Sequence, residues 1–261
     1  MLWCALVVSL GDEFAHPFFL LMKYLGPPNP LITLVGCLHG DETLGRDLFE
    51  HYSDRLAAYP GLALVLANEP AMVLNKRFIE TDLNRSFPGH PEGSQEERLA
   101  AQLLARVRSS RYVLDIHNTT TDIDAVPIAT NLSDESRRII NLFPTHEVAL
   151  IEPPLAGRSL IGQLTGGVSL EFNFDFARGE EALKLVDHVI VGLIQNQKDP
   201  ARERSIFHVT GSIPKSTKLP EHGIRNFELI EELGVYPFLY GERSYPDIHA
   251  LAATSKTIEV I

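Results

Sequence analysis

Short apolar runs rich in Leu, Val and Ile recur along the chain, at residues 31–37, 62–67, 112–116, 148–151 and 168–172. Runs of this length between turn residues read as strands buried on both faces. Between them the period changes. Leu44, Leu48, Tyr52 and Leu56 recur every fourth residue and make one apolar stripe along a helix. Ser94 and Glu97 have the spacing of a capping box, and Leu99, Leu103 and Val107 behind them share one face. Residues 180–195 predict a third helix with Leu183, Val186, Ile190 and Ile194 turned inward. Such alternation predicts an α/β fold with a largely parallel core sheet.

The pattern shifts near residue 200. Pro and Gly become frequent, strands look short and no good amphipathic helix follows. This predicts two domains, residues 1–199 and a small β-rich segment over 200–261, joined by a polar linker at 196–204. The apolar start, residues 1–8, is too short to span a bilayer and lacks a basic leader, so it reads as a strand.

Composition narrows the function. With 34 acidic against 23 basic side chains and a formal charge of -11, the chain lacks the basic footprint of a nucleic-acid protein. A few arginines in a cleft can still hold an anionic substrate. The two cysteines, Cys4 and Cys37, make no disulfide framework, and no segment predicts a membrane span. A cytoplasmic location is expected.

Two stretches carry candidate chemistry. In Leu34-Val-Gly-Cys-Leu-His39-Gly-Asp-Glu42 an apolar strand runs into a loop and then a helix, where α/β sheets place ligands. His39 and Glu42, separated by two residues across a turn that Gly40 eases, can face one ion. In Tyr112-Val-Leu-Asp115-Ile-His117-Asn118, His117 closes another strand, and Asp115 two positions earlier can orient it. Two His, one carboxylate and a position left for water make the ligand set of a catalytic zinc. Each motif alone is weak: a His-x-x-Glu pair recurs by chance, and a lone strand-end His is more often structural. Cys37, inside its apolar run, reads as a buried thiol.

Together the stretches are specific. Gly36-Cys-Leu-His39-Gly-Asp-Glu42, Asp82-Leu-Asn84-Arg85-Ser-Phe-Pro-Gly89 and Asp115-Ile-His117-Asn118-Thr-Thr, in this order, resemble the aspartoacylase and succinylglutamate desuccinylase family, a zinc-carboxypeptidase-like branch. The resemblance covers most of residues 31–174, with a weaker match from Val235 to Tyr245. It implies a mixed α/β sheet flanked by helices, followed by a small β domain partly covering the site. It implies one zinc ion per chain on His39, Glu42 and His117, and a catalytic general base and acid at Glu171. Glu171 is also odd on physical grounds, an acid inside an apolar strand. The resemblance further assigns Arg77 to the reacting centre, Asn84, Arg85 and Arg158 to substrate carboxylates, and Tyr245 to the wall lent by the small domain.

The implied activity is removal of the acyl group from an N-acylated acidic amino acid of N-acetylaspartate type. A carboxypeptidase-like action on peptides or cell-wall fragments is the alternative. The partner is then a small molecule; neither nucleic acid nor membrane is expected, and a homo-oligomer is compatible. Asp41, Pro154, Ser169 and Asn173 depart from the family pattern, as does the short C-terminal segment. These departures bear on substrate more than on chemistry.

Overall fold

The structure, a computed structural model, describes residues 22–198 and 200–261. The expected strand at residues 1–8, with Cys4, lies outside the described residues. In chain order the elements begin with β1 (Lys23–Leu25), β2 (Ile32–Gly36), α1 (Leu44–Ser53), β3 (Leu62–Leu66) and α2 (Glu69–Val73). Next come α3 (Gln95–Val107), β4 (Tyr112–Thr119), β5 (Ala125–Ala129), α4 (Asp134–Leu142) and β6 (Glu147–Ile151). The chain closes with β7 (Gly167–Asn173), α5 (Phe174–Ala177), α6 (Glu180–Ile194), β8 (Glu203–Pro214), β9 (Tyr236–Phe238) and β10 (Ile248–Val260).

All ten strands join one sheet in the order β1-β3-β2-β4-β7-β5-β6-β8-β10-β9. The pairs β3–β2, β2–β4, β4–β7, β5–β6 and β6–β8 are parallel; β5–β7 and the pairs at the two edges are antiparallel. The sheet is thus mixed with a largely parallel core, flanked by helices. Each of the five apolar runs lies on one of these strands. β5 was not read as a strand, because Pro127 removes a ladder donor within a five-residue run.

The helices follow their sequence signals with two shifts. The Ser94–Glu97 capping box is present in both directions. α1 buries Leu44, Leu48 and Tyr52 but ends at Ser53, leaving Leu56 on a separate 3-10 turn. α6 buries Ala182, Val186, Val189, Ile190 and Leu193, a stripe rotated from the predicted one, with Leu183 and Ile194 at its margins. A helix apolar over most of its surface leaves the choice of face to its neighbours.

Beyond residue 200 two of the three strands are long, β8 with 12 residues and β10 with 13, and only β9, with three, is as short as expected. Register shifts interrupt β10, and its last turn of residues is exposed, which hides the strand period from the sequence. Through β6–β8 this part continues the same sheet.

The two sheet faces differ. One carries Leu34, Leu114, Ile116, Leu170 and Phe172 against α1, α4 and α6. The other holds Val35 and Val113 under α3 at one end, and Ile128, Ala149, Phe207 and Val209 under the C-terminal residues at the other. Between those two clusters this face opens into a cavity. α1 docks very close to the end of β2: a Cβ on Gly36 would lie 2.6 Å from the Gly45 backbone. That approach brings the residues just before α1 over the carboxyl ends of β2 and β4.

Candidate active site

The loop after β2 makes its turn at Cys37, which adopts a positive φ of 59°. Gly40 is needed for space rather than for conformational freedom, since a Cβ there would lie 2.2 Å from the Ala71 backbone. Cys37 itself is buried, and burial pushes its thiol up to about 12. The turn delivers His39 and Glu42, both buried, to the end of β4, where His117 is equally buried.

His39 Nδ1 lies 2.6 Å from Glu42 Oε1, and His117 Nδ1 lies 2.9 Å from Glu42 Oε2. One ligand atom from each of the three falls within 4.8 Å of the others, a group that can hold a metal ion. The far nitrogen of each ring meets a further carboxylate: His39 Nε2 is 3.1 Å from Asp82 and His117 Nε2 is 2.9 Å from Asp115. Ligating imidazoles usually carry such a partner, which fixes the ring and its tautomer. Two imidazoles and a carboxylate, each held from behind, fit a divalent cation such as zinc. Burial would raise the Glu42 carboxyl, but His39 and His117 outweigh it and hold it well below the usual range. Burial likewise opposes charge on His117, yet Asp115 and Glu42 raise its pKa well above the ordinary value.

Neighbouring groups hold this cluster. Asp115 Oδ2 also accepts from Ser169 Oγ at 2.8 Å, so Ser169 braces the carboxylate behind His117. Asn118 accepts from the Leu44 amide with its side chain, capping α1 from across the sheet, while its own amide donates to Glu42. Arg77 pairs with Glu42 at 3.3 Å and with Asp82 at 3.2 Å. The loop that carries Arg77 and Asp82 is tied to buried Glu96 of α3, which accepts from the amides of Ile79, Glu80 and Thr81.

On β7, Glu171 lies in register with His117. It is 8% exposed, and no hydrogen bond among the described residues engages its carboxylate. Burial, reinforced by the Glu42 and Glu242 carboxylates, pushes it up to about 8 against the pull of His117.

The three candidate ligands, Arg77 and Glu171 open onto one cavity of about 110 Å³. Its lining includes His39, Glu42, His117, Glu171 and Arg77, then Asn84, Arg85 and Tyr245. Asn84 Oδ1 accepts from the Leu160 amide, which leaves its NH2 group to donate. Arg158 is not brought there. It sits exposed on the 3-10 turn Leu155–Arg158, where Leu155 rather than the arginine meets the cavity. A turn of four residues aims consecutive side chains in different directions, which motif spacing does not resolve.

Three residues important to the site carried no role in the sequence reading. Asp82 was quoted only within its motif, although Asp followed two residues later by Asn84 is a local capping signal, realised here by Asn84 N donating to Asp82 Oδ1. Glu96 was hidden among the first-turn acids of α3. Glu242 had no signal; its Oε2 accepts from Thr119 Oγ1 and from the Thr120 amide and hydroxyl, joining the C-terminal segment to the end of β4.

The profile of the Succinylglutamate desuccinylase/Aspartoacylase catalytic domain matches residues 28–147, the stretch that carries all three candidate ligands. Over that stretch, a little under half of its length, the chain is similar to this family. Among curated proteins that it resembles, the N-alpha-acetyl-L-2,4-diaminobutyric acid deacetylase of Halomonas elongata is 36% identical over 110 residues, 39% of this chain and 32% of that protein. A probable aspartoacylase of Acaryochloris marina is 33% identical over 113 residues, 38% of each. The chain thus matches only about a third of the length of these curated relatives. The crystal structure of murine aminoacylase 3 superposes with a TM-score of 0.73 over 91% of this chain and 98% of that one; at 21% identity this speaks for a shared fold.

Proposed function

We propose that this chain is a zinc-dependent hydrolase that removes the acyl group from an N-acyl amino acid. The observation that carries this reading is the meeting of three buried ligands and an unpaired buried carboxylate, Glu171, on one cavity. Named relatives that remove acyl groups from amino acids support it. Among the described residues no helix is long and apolar enough to cross a membrane, and the cysteine usage suits the cytoplasm.

In this reading His39, Glu42 and His117 hold one zinc ion. When bound, the ion supplies Lewis acidity, polarising the scissile carbonyl and acidifying the attacking water. Glu171 takes the proton of that water and delivers it to the leaving amine. A raised pKa suits this double duty, because the group must both accept and release a proton near neutral pH. Arg77, fixed by Glu42 and Asp82, offers a preorganised positive charge to the carbonyl oxygen as negative charge develops there. The Asn84 NH2 group and the Arg85 guanidinium bind the substrate carboxylate. Tyr245, on the C-terminal segment anchored through Glu242, walls the cavity from the other side.

We treat residues 200–261 as the part that closes the site. Phe238, Leu239 and Tyr245 wall the cavity, which favours a small substrate over peptides or cell-wall fragments that would share the metal site. Arg158 has no role in this reading.

The test is hydrolysis of a panel of N-acetyl amino acids by the zinc-restored protein, with Glu171→Gln beside it. Activity that chelation removes and zinc restores is expected. The E171Q protein should keep its zinc and lose about 10²-fold or more in kcat. Full activity of zinc-loaded E171Q would remove the base, and zinc-independent hydrolysis would remove the metal.

A further inference from the structure

The cavity contains cations for one substrate carboxylate and not for two. Of the two arginines in its lining, Arg77 is spent on Glu42 and Asp82, whereas Arg85 has no carboxylate partner among the described residues. The remaining wall is apolar. It is built from Ile128 of β5, Ile151 of β6, Leu251 of β10 and Phe238 of β9, with Leu155 and Ile161 from the loop between β6 and β7. Ile128 lies in register with Ser169, two residues from Glu171, so the apolar wall begins directly beside the proposed base.

Apart from the Tyr245 hydroxyl on the C-terminal side, the polar side chains set in this wall are already committed. Thr130 Oγ1 donates to the Ile161 carbonyl, and Ser159 Oγ donates to the Ala156 carbonyl and accepts from the Gly162 amide. Glu242 is saturated by Thr119, Thr120 and Ser244. The 155–161 loop is also fastened to the carboxylate site, because the Leu160 amide donates to Asn84 Oδ1. Carboxylate grip and apolar wall are therefore neighbours, as two substituents on one α-carbon require.

Building on the N-acyl amino acid reading, we propose that the site selects substrates whose amino-acid side chain is apolar, with the α-carboxylate as their only anionic group. A second carboxylate would be stripped of water against Ile128, Ile151 and Leu155 with no cation to meet it, and beside the Glu171 carboxylate. An apolar side chain gains from the same burial. The expectation of an acidic side chain came with the family resemblance, which assigned Arg158 as a second carboxylate-binding arginine; this structure leaves Arg158 on the surface.

The experiment compares kcat/KM of the zinc-loaded full chain for N-acetyl-leucine, N-acetyl-methionine and N-acetyl-phenylalanine with that for N-acetyl-aspartate, N-acetyl-glutamate and N-acetyl-lysine. Apolar substrates are expected to lead by about 10²-fold, the scale a pocket contact sets. Leu155→Arg, at a residue already 37% exposed, should shrink that ratio by at least about 10-fold by placing a cation in the wall. Preference for an acidic or basic side chain overturns the inference while leaving the deacylase reading intact. So does selectivity that follows the acyl group and ignores the side chain. Hydrolysis of none of the six overturns both.

Discussion

In the proposed reading, Glu171 is a residue at which a catalytic requirement opposes stability. An unfolded chain titrates this carboxyl at about 4.3; in the folded, metal-free protein burial pushes it up to about 8. Between those values the folded chain holds a proton that the unfolded chain has lost, so stability falls as pH rises through this window. Gln at this position carries no charge to desolvate. In chelator, E171Q should therefore melt above the parent at pH 8–9, by about 2 kcal/mol or roughly 4–8 °C for a chain of this size. At pH 4, where both states hold the proton, the advantage should vanish. Calorimetric scans at the two pH values decide it, and equal melting temperatures at pH 9 would contradict the strained, buried carboxylate. The same reasoning separates Glu171 from Glu42, whose charge the two imidazoles favour.

Among the elements, the loop from Leu239 to Tyr245 is joined to the end of β4 mainly through one side chain. Glu242 ties it to Thr119 and Thr120 just past His117. Removing it with Glu242→Ala leaves those donors without their acceptor, a loss of about 2 kcal/mol in the attachment of the loop. Hydrogen exchange should then speed up in residues 239–245 while β4 and β7 keep their protection; unchanged exchange in the loop would show that the apolar contacts of Phe238 and Leu239 suffice. Elements also mark what could be read in advance. The buried parallel strands and the ligand motifs at their ends were legible because a continuous apolar run and a short, type-restricted motif are both local signals. Asp115, two residues before His117, was legible as its orienting partner from strand geometry alone. β5 was not, since Pro127 argues against a strand, nor were the long strands β8 and β10, the second of which is mostly exposed over its latter half. Glu242 and the direction of Arg158 are set by contacts between segments far apart in the chain, which local patterns do not contain.

Across the whole molecule, the sheet brings a concentrated negative charge to the carboxyl ends of β2, β4 and β7. Glu42, Asp82, Asp115 and Glu171 gather there, with the Arg77 guanidinium paired to two of them and Arg85 also in the cavity lining, in a chain whose formal charge is already -11. The candidate ligands come from the loop before α1 and from β4, with Glu42 and His117 75 positions apart, so an ion bound to all three would link separate parts of the fold. Binding to the folded state alone stabilises it in proportion to the logarithm of ion concentration over Kd. At 100 times Kd the gain is about 2.7 kcal/mol, which corresponds to roughly 5–10 °C. Zinc added to the chelated protein should raise its melting temperature by that amount, and magnesium, which prefers oxygen ligands, by much less. His117→Ala should abolish the zinc response even though it also lowers the starting stability. A zinc shift of equal size in H117A would place the ion elsewhere, and no shift in the parent would leave the His39–Glu42–His117 cluster as a hydrogen-bonded core feature rather than a metal centre.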